Sequence, residues 1–134
     1  MIALDTNVLI YACDKADPAR QNVALDLISG ISGGVLPWQV ACEFIAASRK
    51  LESQGFTPAD AWARLADFMG VFRLVVPVGT GVLERARQLH LNRKVAFWDA
   101  MIIAACVDAD VRLLYSEDLP GGDIDGLSVK NPFR

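Results

Sequence analysis

Four acidic residues stand where carboxylates can do chemistry. Asp5 directly follows the apolar Ile2-Ala3-Leu4, Asp118 shortly follows Leu113-Leu114-Tyr115, and Glu43 and Asp99 lie in the early turns of stretches with helical periodicity. Beyond the carboxyl ends of strands is where α/β sheets bind ligands, and the first turns of helices favour carboxylates because their amide groups point outward. Taken singly, each acid has a structural use: Asp5 and Asp99 as helix caps, Asp118 in a turn, Glu43 as a solvated helix charge. The combination asks for more. Two carboxylates about 4 Å apart repel by roughly 4 kcal/mol at an effective dielectric near 20. Four converging acids therefore need cations or raised pKa values. An oxygen-only donor set suits magnesium or manganese better than zinc. The single histidine, His90, cannot build a zinc site and reads as a surface residue.

The elements that must position these acids can be read from periodicity and punctuation. Met1 to Leu4 is too short and apolar for anything but a buried strand, and Asp5-Thr6-Asn7 reads as a turn before a helix over Val8 to Cys13. Asp17-Pro18 starts a second helix with Val23, Ala24, Leu27, Ile28 and Ile31 at helical spacing. After Gly33-Gly34 and a short Val35-Leu36, Pro37 opens a helix to Ser53 that carries Val40, Phe44, Ile45, Ser48 and Leu51 on one side. Thr57-Pro58-Ala59-Asp60 resembles a capping arrangement for a helix whose apolar stripe is Trp62, Leu65, Ala66, Met69 and Phe72.

Leu74 to Val78 reads as a strand with Pro77 near its end, and Thr80 as the cap of the next helix. Ala96 to Ala109 is apolar nearly all round, as suits a helix buried against a sheet, and Val111 to Tyr115 reads as a strand. Gly121-Gly122 and Gly126 bracket a loop before a final strand at Leu127-Ser128-Val129. Strands alternating with helices predict an α/β sandwich with a mainly parallel central sheet.

The chain has 134 residues, 53% of them apolar, enough for one well-buried core and a single domain over 1–134. No stretch reaches the roughly 18 apolar residues of a membrane span, and Asp5 comes too early for a signal-peptide apolar region, so a cytoplasmic protein without a membrane partner is expected. Cys13, Cys42 and Cys106 are far apart and read as buried thiols. A net charge of −3 argues weakly against nucleic acid, but counting four carboxylates as cation ligands turns it to +1. Arg20, Arg49, Lys50, Arg93 and Lys94 then remain near the acidic segments to meet phosphates.

Taken in order, Leu4-Asp5-Thr6-Asn7-Val8-Leu9-Ile10-Tyr11, the helical Glu43, Phe97-Trp98-Asp99-Ala100-Met101-Ile102-Ile103-Ala104-Ala105 and Leu114-Tyr115-Ser116-Glu117-Asp118-Leu119 resemble the PIN domain, and most nearly its VapC-type toxins. The ending, with Gly126-Leu127-Ser128-Val129 and Asn131-Pro132-Phe133, resembles one bacterial branch of them. The resemblance covers nearly the whole chain. It implies a PIN-like α/β/α sandwich and a magnesium- or manganese-dependent endoribonuclease, the toxin of a type II toxin–antitoxin pair. Asp5, Glu43, Asp99 and Asp118 would be its acidic quartet, with Thr6, Asn7 or Ser116 as polar supports and Glu117 able to share or replace the role of Asp118. It also implies a homodimer and a VapB-like antitoxin, for which the helices over Pro18 to Ser29 and Pro37 to Ser53 offer surfaces. In this reading Asp5 is the central metal ligand, Asp99 completes the site, Asp118 positions a water or second ion, and Glu43 is ligand or general base. Arg93 and Lys94 read as solvated surface residues, with neutralisation of a flanking phosphate as their alternative use.

Two other classes compete. Phosphoryl transfer through an aspartyl intermediate would use Asp5 as nucleophile, but haloacid-dehalogenase-like enzymes carry a second aspartate two residues on, where this chain has Asn7. A catalytically silent PIN-like module binding RNA or protein would keep the fold without the chemistry. Trp38, Trp62, Phe68, Phe72, Phe97 and Trp98 read as core packing, with Trp38 and Trp98 left open as base-stacking residues because they adjoin the acidic segments.

Overall fold

The strand that carries Ile2 to Leu4 lies at the centre of the sheet. In the computed structural model, which describes residues 1–134, β1 (Ile2–Leu4) lies between β2 (Val35–Pro37) and β4 (Leu113–Tyr115), and both pairings are parallel. With β3 (Arg73–Val75), β5 (Gly122–Ile124) and β6 (Leu127–Lys130) the sheet runs β3-β2-β1-β4-β6-β5. Only β5 is antiparallel, to β6. The α/β sandwich with a mainly parallel sheet is thus as the alternation of elements predicts. Strand order grows one way through β2 and β3 and the other through β4 and β6, so the direction reverses between β1 and β4, at whose carboxyl ends a crevice must open.

The connections are helical. They are α1 (Thr6–Cys13) and α2 (Pro18–Gly30), then α3 (Trp38–Ala47), a 3-10 helix over Ser48–Gln54 and α4 (Pro58–Val71), and finally α5 (Gly81–Asn92) and α6 (Phe97–Asp108). Helix α6 packs along α5 and against β2 and β6, and buries Ala100 and every residue from Ile102 to Cys106. Its nearly uniform apolarity follows from that position. Helix α3 packs on α1 and α4, with the rings of Phe44 and Phe68 edge to face at 5.3 Å.

Several local expectations are corrected. Asp5-Thr6-Asn7 is not a separate turn: Asp5 is itself the N-cap and α1 begins at Thr6. Pro37 ends β2 and α3 begins one residue later, because the extended backbone of Pro37 serves strand and cap position alike. The helix does not continue evenly to Ser53 but tightens at Ser48 into the 3-10 turn, closed by Gly55 at φ 80. The strand expected over Leu74 to Val78 is Arg73–Val75, an edge strand that stops before Pro77 removes a donor. Thr80 stands at the N-cap of α5 but its side chain caps nothing, since its backbone is already in the right-handed helical region.

The expected loop after Gly122 holds β5. Asp125 and Gly126, at φ 52 and 86, form the two-residue turn whose left-handed backbone conformation suits the twist of β5 and β6. In α4 the buried face is Ala61, Leu65 and Phe68, not the stripe through Trp62, Ala66 and Met69, which faces outward. Cys42 is exposed, unlike buried Cys13 and Cys106. Of the six aromatics assigned to the core only Phe68 and Phe72 are buried, and Trp38, Trp62, Phe97 and Trp98 stand in solvent.

Candidate active site

Asp5 is held at the crevice by three bonds. Its amide donates to the Tyr115 carbonyl at 2.9 Å, extending the β1–β4 ladder by one step. Its Oδ1 accepts from the Thr6 amide at 2.7 Å, the N-cap bond of α1, and its Oδ2 accepts from Ser116 Oγ at 2.7 Å. Ser116, buried just past β4, also accepts from the amides of Asp118 and Leu119, at 3.2 and 3.1 Å. One hydroxyl thereby fixes both Asp5 and the turn that carries Asp118. Asp5 is only 6% exposed. Burial pushes its carboxyl above the ordinary range, the bonds from Ser116 and Thr6 oppose this, and the charges of Glu43 and Asp99 raise it further.

Glu43 enters from the second turn of α3. Its Oε2 accepts from Thr6 Oγ1 at 2.9 Å and its Oε1 from Gln39 Nε2 at 2.8 Å. The same Gln39 amide donates to the Trp98 carbonyl at 2.9 Å, tying α3 to the first turn of α6. Asp99, next in that turn, is half-buried, and its carboxyl is raised by burial first and then by the charges of Glu43 and Asp118. Asp118 is exposed and accepts from Asn7 Nδ2 at 3.0 Å, while Asn7 Oδ1 accepts the Glu117 amide at 3.3 Å. At the crevice between β1 and β4 Asp5 thus feels the charges of Glu43 and Asp99, and Asp99 those of Glu43 and Asp118, while Thr6, Asn7 and Ser116 position three of the four acids.

Glu117 faces another set of partners. It accepts from Tyr11 Oη at 3.1 Å and from Arg20 Nε at 3.0 Å, and the Arg20 guanidinium lies 5.4 Å from the centre of the Tyr11 ring. Arg20 also pairs with Asp17, so it is not a free cation waiting for phosphate. Tyr11 and Gln39 are site neighbours that sequence reasoning did not single out as such. Only Gln39 carried a local signal, lying four residues before Glu43 on the same helix.

None of the ion pairs in the structure involves Asp5, Glu43, Asp99 or Asp118. Their mutual repulsion is met by hydrogen bonds from neutral groups and by raised carboxyl pKa values at Asp5 and Asp99, with no ion pair to a basic side chain. No three His, Cys, Asp or Glu side chains stand at metal-ligating distance from one another. Arg93 and Lys94, exposed and outside every ion pair, lie in the link between α5 and α6, and Lys94 holds a left-handed backbone at φ 54.

A family model for the PIN domain matches residues 2–119. The chain belongs to the PIN-domain family. No curated protein sequence matches it significantly. Among solved structures this PIN domain is similar to Mycobacterium tuberculosis VapC20, a sarcin-ricin loop cleaving toxin, with a TM-score of 0.69 and 19% identity over 88% of this chain and 90% of that one. It is also similar to a toxin–antitoxin complex from Klebsiella pneumoniae, with a TM-score of 0.66 and 19% identity over 98% of each chain. At that identity the likeness is one of PIN fold, in keeping with the six-stranded, mostly parallel sheet.

Proposed function

We propose that this PIN domain is a metal-dependent endoribonuclease, the toxin of a toxin–antitoxin pair, and that Asp5, Glu43, Asp99 and Asp118 are its catalytic acids. The observation that carries this reading is the burial of Asp5 beside Glu43 and Asp99 with no basic residue to neutralise any of them. Structural acids normally acquire an Arg or Lys partner, as Glu117 does, whereas acids that share a cation do not need one. The donor set fits magnesium or manganese, being carboxylate oxygens without His or Cys. Asp5 and Asp99 would hold the ion, with Asp118 beside them.

The chemistry such an ion supplies when bound is neutralisation of the charge that builds on the phosphodiester during in-line attack. The chain's own groups do the rest. Ser116 and the Thr6 amide fix both oxygens of Asp5, so that it cannot swing away from the reacting phosphate. Glu43, steadied by Thr6 and Gln39, takes the proton of the attacking water at a carboxylate oxygen. Asn7 holds Asp118 in reach of the same water. Arg93 and Lys94 meet a flanking phosphate.

The two structural neighbours, one a sarcin-ricin loop cleaving toxin and one a toxin–antitoxin complex, support an RNA substrate and an antitoxin partner. A homodimer and a cytoplasmic site of action belong to the same proposal; no helix is long and apolar enough to cross a membrane.

The test is cleavage of total cellular RNA by the purified chain with magnesium, with manganese or with chelator, beside Asp5→Asn. Discrete fragments that need metal and vanish in the variant are expected, together with growth arrest on expression that Asp5→Asn relieves. Intact RNA under every metal, from folded and antitoxin-free protein, would leave a silent binding module instead.

A further inference from the structure

Two of the exposed indoles flank the acids. Trp38 opens α3 and Trp98 stands in the first turn of α6, with 51% and 64% of their surface in solvent. Both line one cleft of about 400 Å³, and Gln39, Cys42 and Glu43 line it with them. Leaving a large ring half in solvent forgoes much of the gain of burying it, so two indoles open on a single cleft call for an occupant. The rings of Phe97 and Trp98 meet edge to face at 4.9 Å, which steadies the second indole.

Gln39 follows Trp38 in α3 and its side chain reaches the Trp98 backbone. Because its amide bonds the Glu43 carboxylate and the Trp98 carbonyl, both acceptors, that end must be nitrogen, and Oε1 remains an acceptor with no protein partner. The cleft therefore offers flat aromatic faces, one free acceptor and a direct border with a site acid. A neighbouring cleft of about 410 Å³ makes the contrast: Trp38, Trp62, Leu65, Met69 and Leu74 line it with other apolar residues, and it has neither amide nor acid.

We infer that Trp38 and Trp98 form a stacking slot for one unpaired nucleobase of a single-stranded RNA, next to the phosphodiester that the acids cut. The inference rests on the ribonuclease reading and adds the substrate's form to it. A strand whose phosphate lies at Asp5 and Asp99 must lead a neighbouring nucleotide past Glu43, and Glu43 is a wall of this cleft. Indole faces accept any base by stacking, and only an unpaired base can splay between them. The slot thus selects loops and single strands over duplex.

The test titrates a short single-stranded oligoribonucleotide, and the same strand with one abasic position, into the full chain carrying Asp5→Asn, so that binding is read without cleavage. Added Trp98→Ala or Trp38→Ala is expected to weaken binding of the intact strand roughly 5- to 150-fold and to erase the difference between intact and abasic strands, the signature of one lost base stack. Trp98→Phe should recover most of the affinity, and Trp62→Ala should leave it unchanged. Unchanged affinity and unchanged abasic discrimination in both alanine variants overturn the slot. If light scattering shows that those variants have instead lost self-association, the cleft is a contact between copies of this chain. The nuclease reading fails separately: stacking without cleavage by the native chain removes the enzyme and leaves the slot, and cleavage indifferent to both tryptophans does the reverse.

Discussion

Ser116 Oγ donates to Asp5 Oδ2 at 2.7 Å across 111 residues of sequence, and the same oxygen accepts the amides of Asp118 and Leu119. Ser116→Ala removes all three bonds at a buried point. Its expected cost is about 1–3 kcal/mol, the penalty for leaving buried polar groups unpaired, read as a lower unfolding midpoint. The magnesium requirement for RNA cleavage should rise roughly 10- to 100-fold, as when a ligand's support is lost. Native-like values for both would mean that backbone alone positions Asp5.

Glu117 and Asp118 are adjacent in sequence but differ in surroundings. Glu117 is neutralised by Arg20, whereas the charge of Asp118 reaches Asp99. Asp118→Asn should lower the cleavage rate by about 100-fold or more, and Glu117→Gln by less than about tenfold. Arg20→Ala should resemble Glu117→Gln in rate. The reverse ranking would make Glu117 the working acid.

Asp99 has its carboxyl pKa raised above 3.8 by burial and by Glu43 and Asp118. A carboxyl with a higher pKa folded than unfolded binds its proton more tightly when folded. Stability is therefore greatest in acid and falls as pH climbs from the unfolded value through the folded one. Metal-free Asp99→Asn should unfold at a higher temperature than the native chain near neutral pH, by roughly 1–4 °C given the partial exposure of the group. The gap should close as pH falls toward 4. Added magnesium should stabilise the native chain more than the variant. A variant less stable at neutral pH contradicts this reading.

Gly34 precedes β2 where Phe72, buried ahead of β3, crosses it. A Cβ at residue 34 would meet ring carbons Cδ1 and Cε1 of Phe72 and lie 2.8 Å from Ile31 Cγ2. Gly34→Ala should cost about 1–3 kcal/mol, the usual penalty of forcing atoms into a filled space, in a denaturant titration. Gly30→Ala, with nothing within 4 Å of the added atom, is the control and should be neutral or slightly stabilising.

What the sequence made legible was local. Asp17-Pro18 and the reciprocal Thr57–Asp60 capping box are contained within four residues and begin their helices as read. The positions of Asp5 and Asp118 after strands follow from the sheet alone. What escaped was decided by partners distant in the chain. The outward turn of Trp62 and Met69 follows from which face of α4 meets α3, through Phe44 and Phe68. The Gln39 bond to Trp98 spans 59 residues and the Arg20 bond to Glu117 spans 97, so neither leaves a trace in local periodicity. The β5–β6 hairpin is the exception, since Asp125-Gly126 is a turn signal in plain view and the glycines around it masked a strand of three residues.

The central place of β1 fixes when the acidic site can come into being. Asp5 is made well before its partner strand β4 and the hydroxyl of Ser116, which lies 111 residues further along the chain. Contacts that close so long a loop must await the far segment, however early the near one is ready. A nascent or prematurely ended chain therefore carries Asp5, Glu43 and even Asp99 without an assembled crevice. For a chain that cuts RNA, this order of assembly withholds the cutting edge until the segment through Ser116 has been made, sparing the message and machinery that produce it.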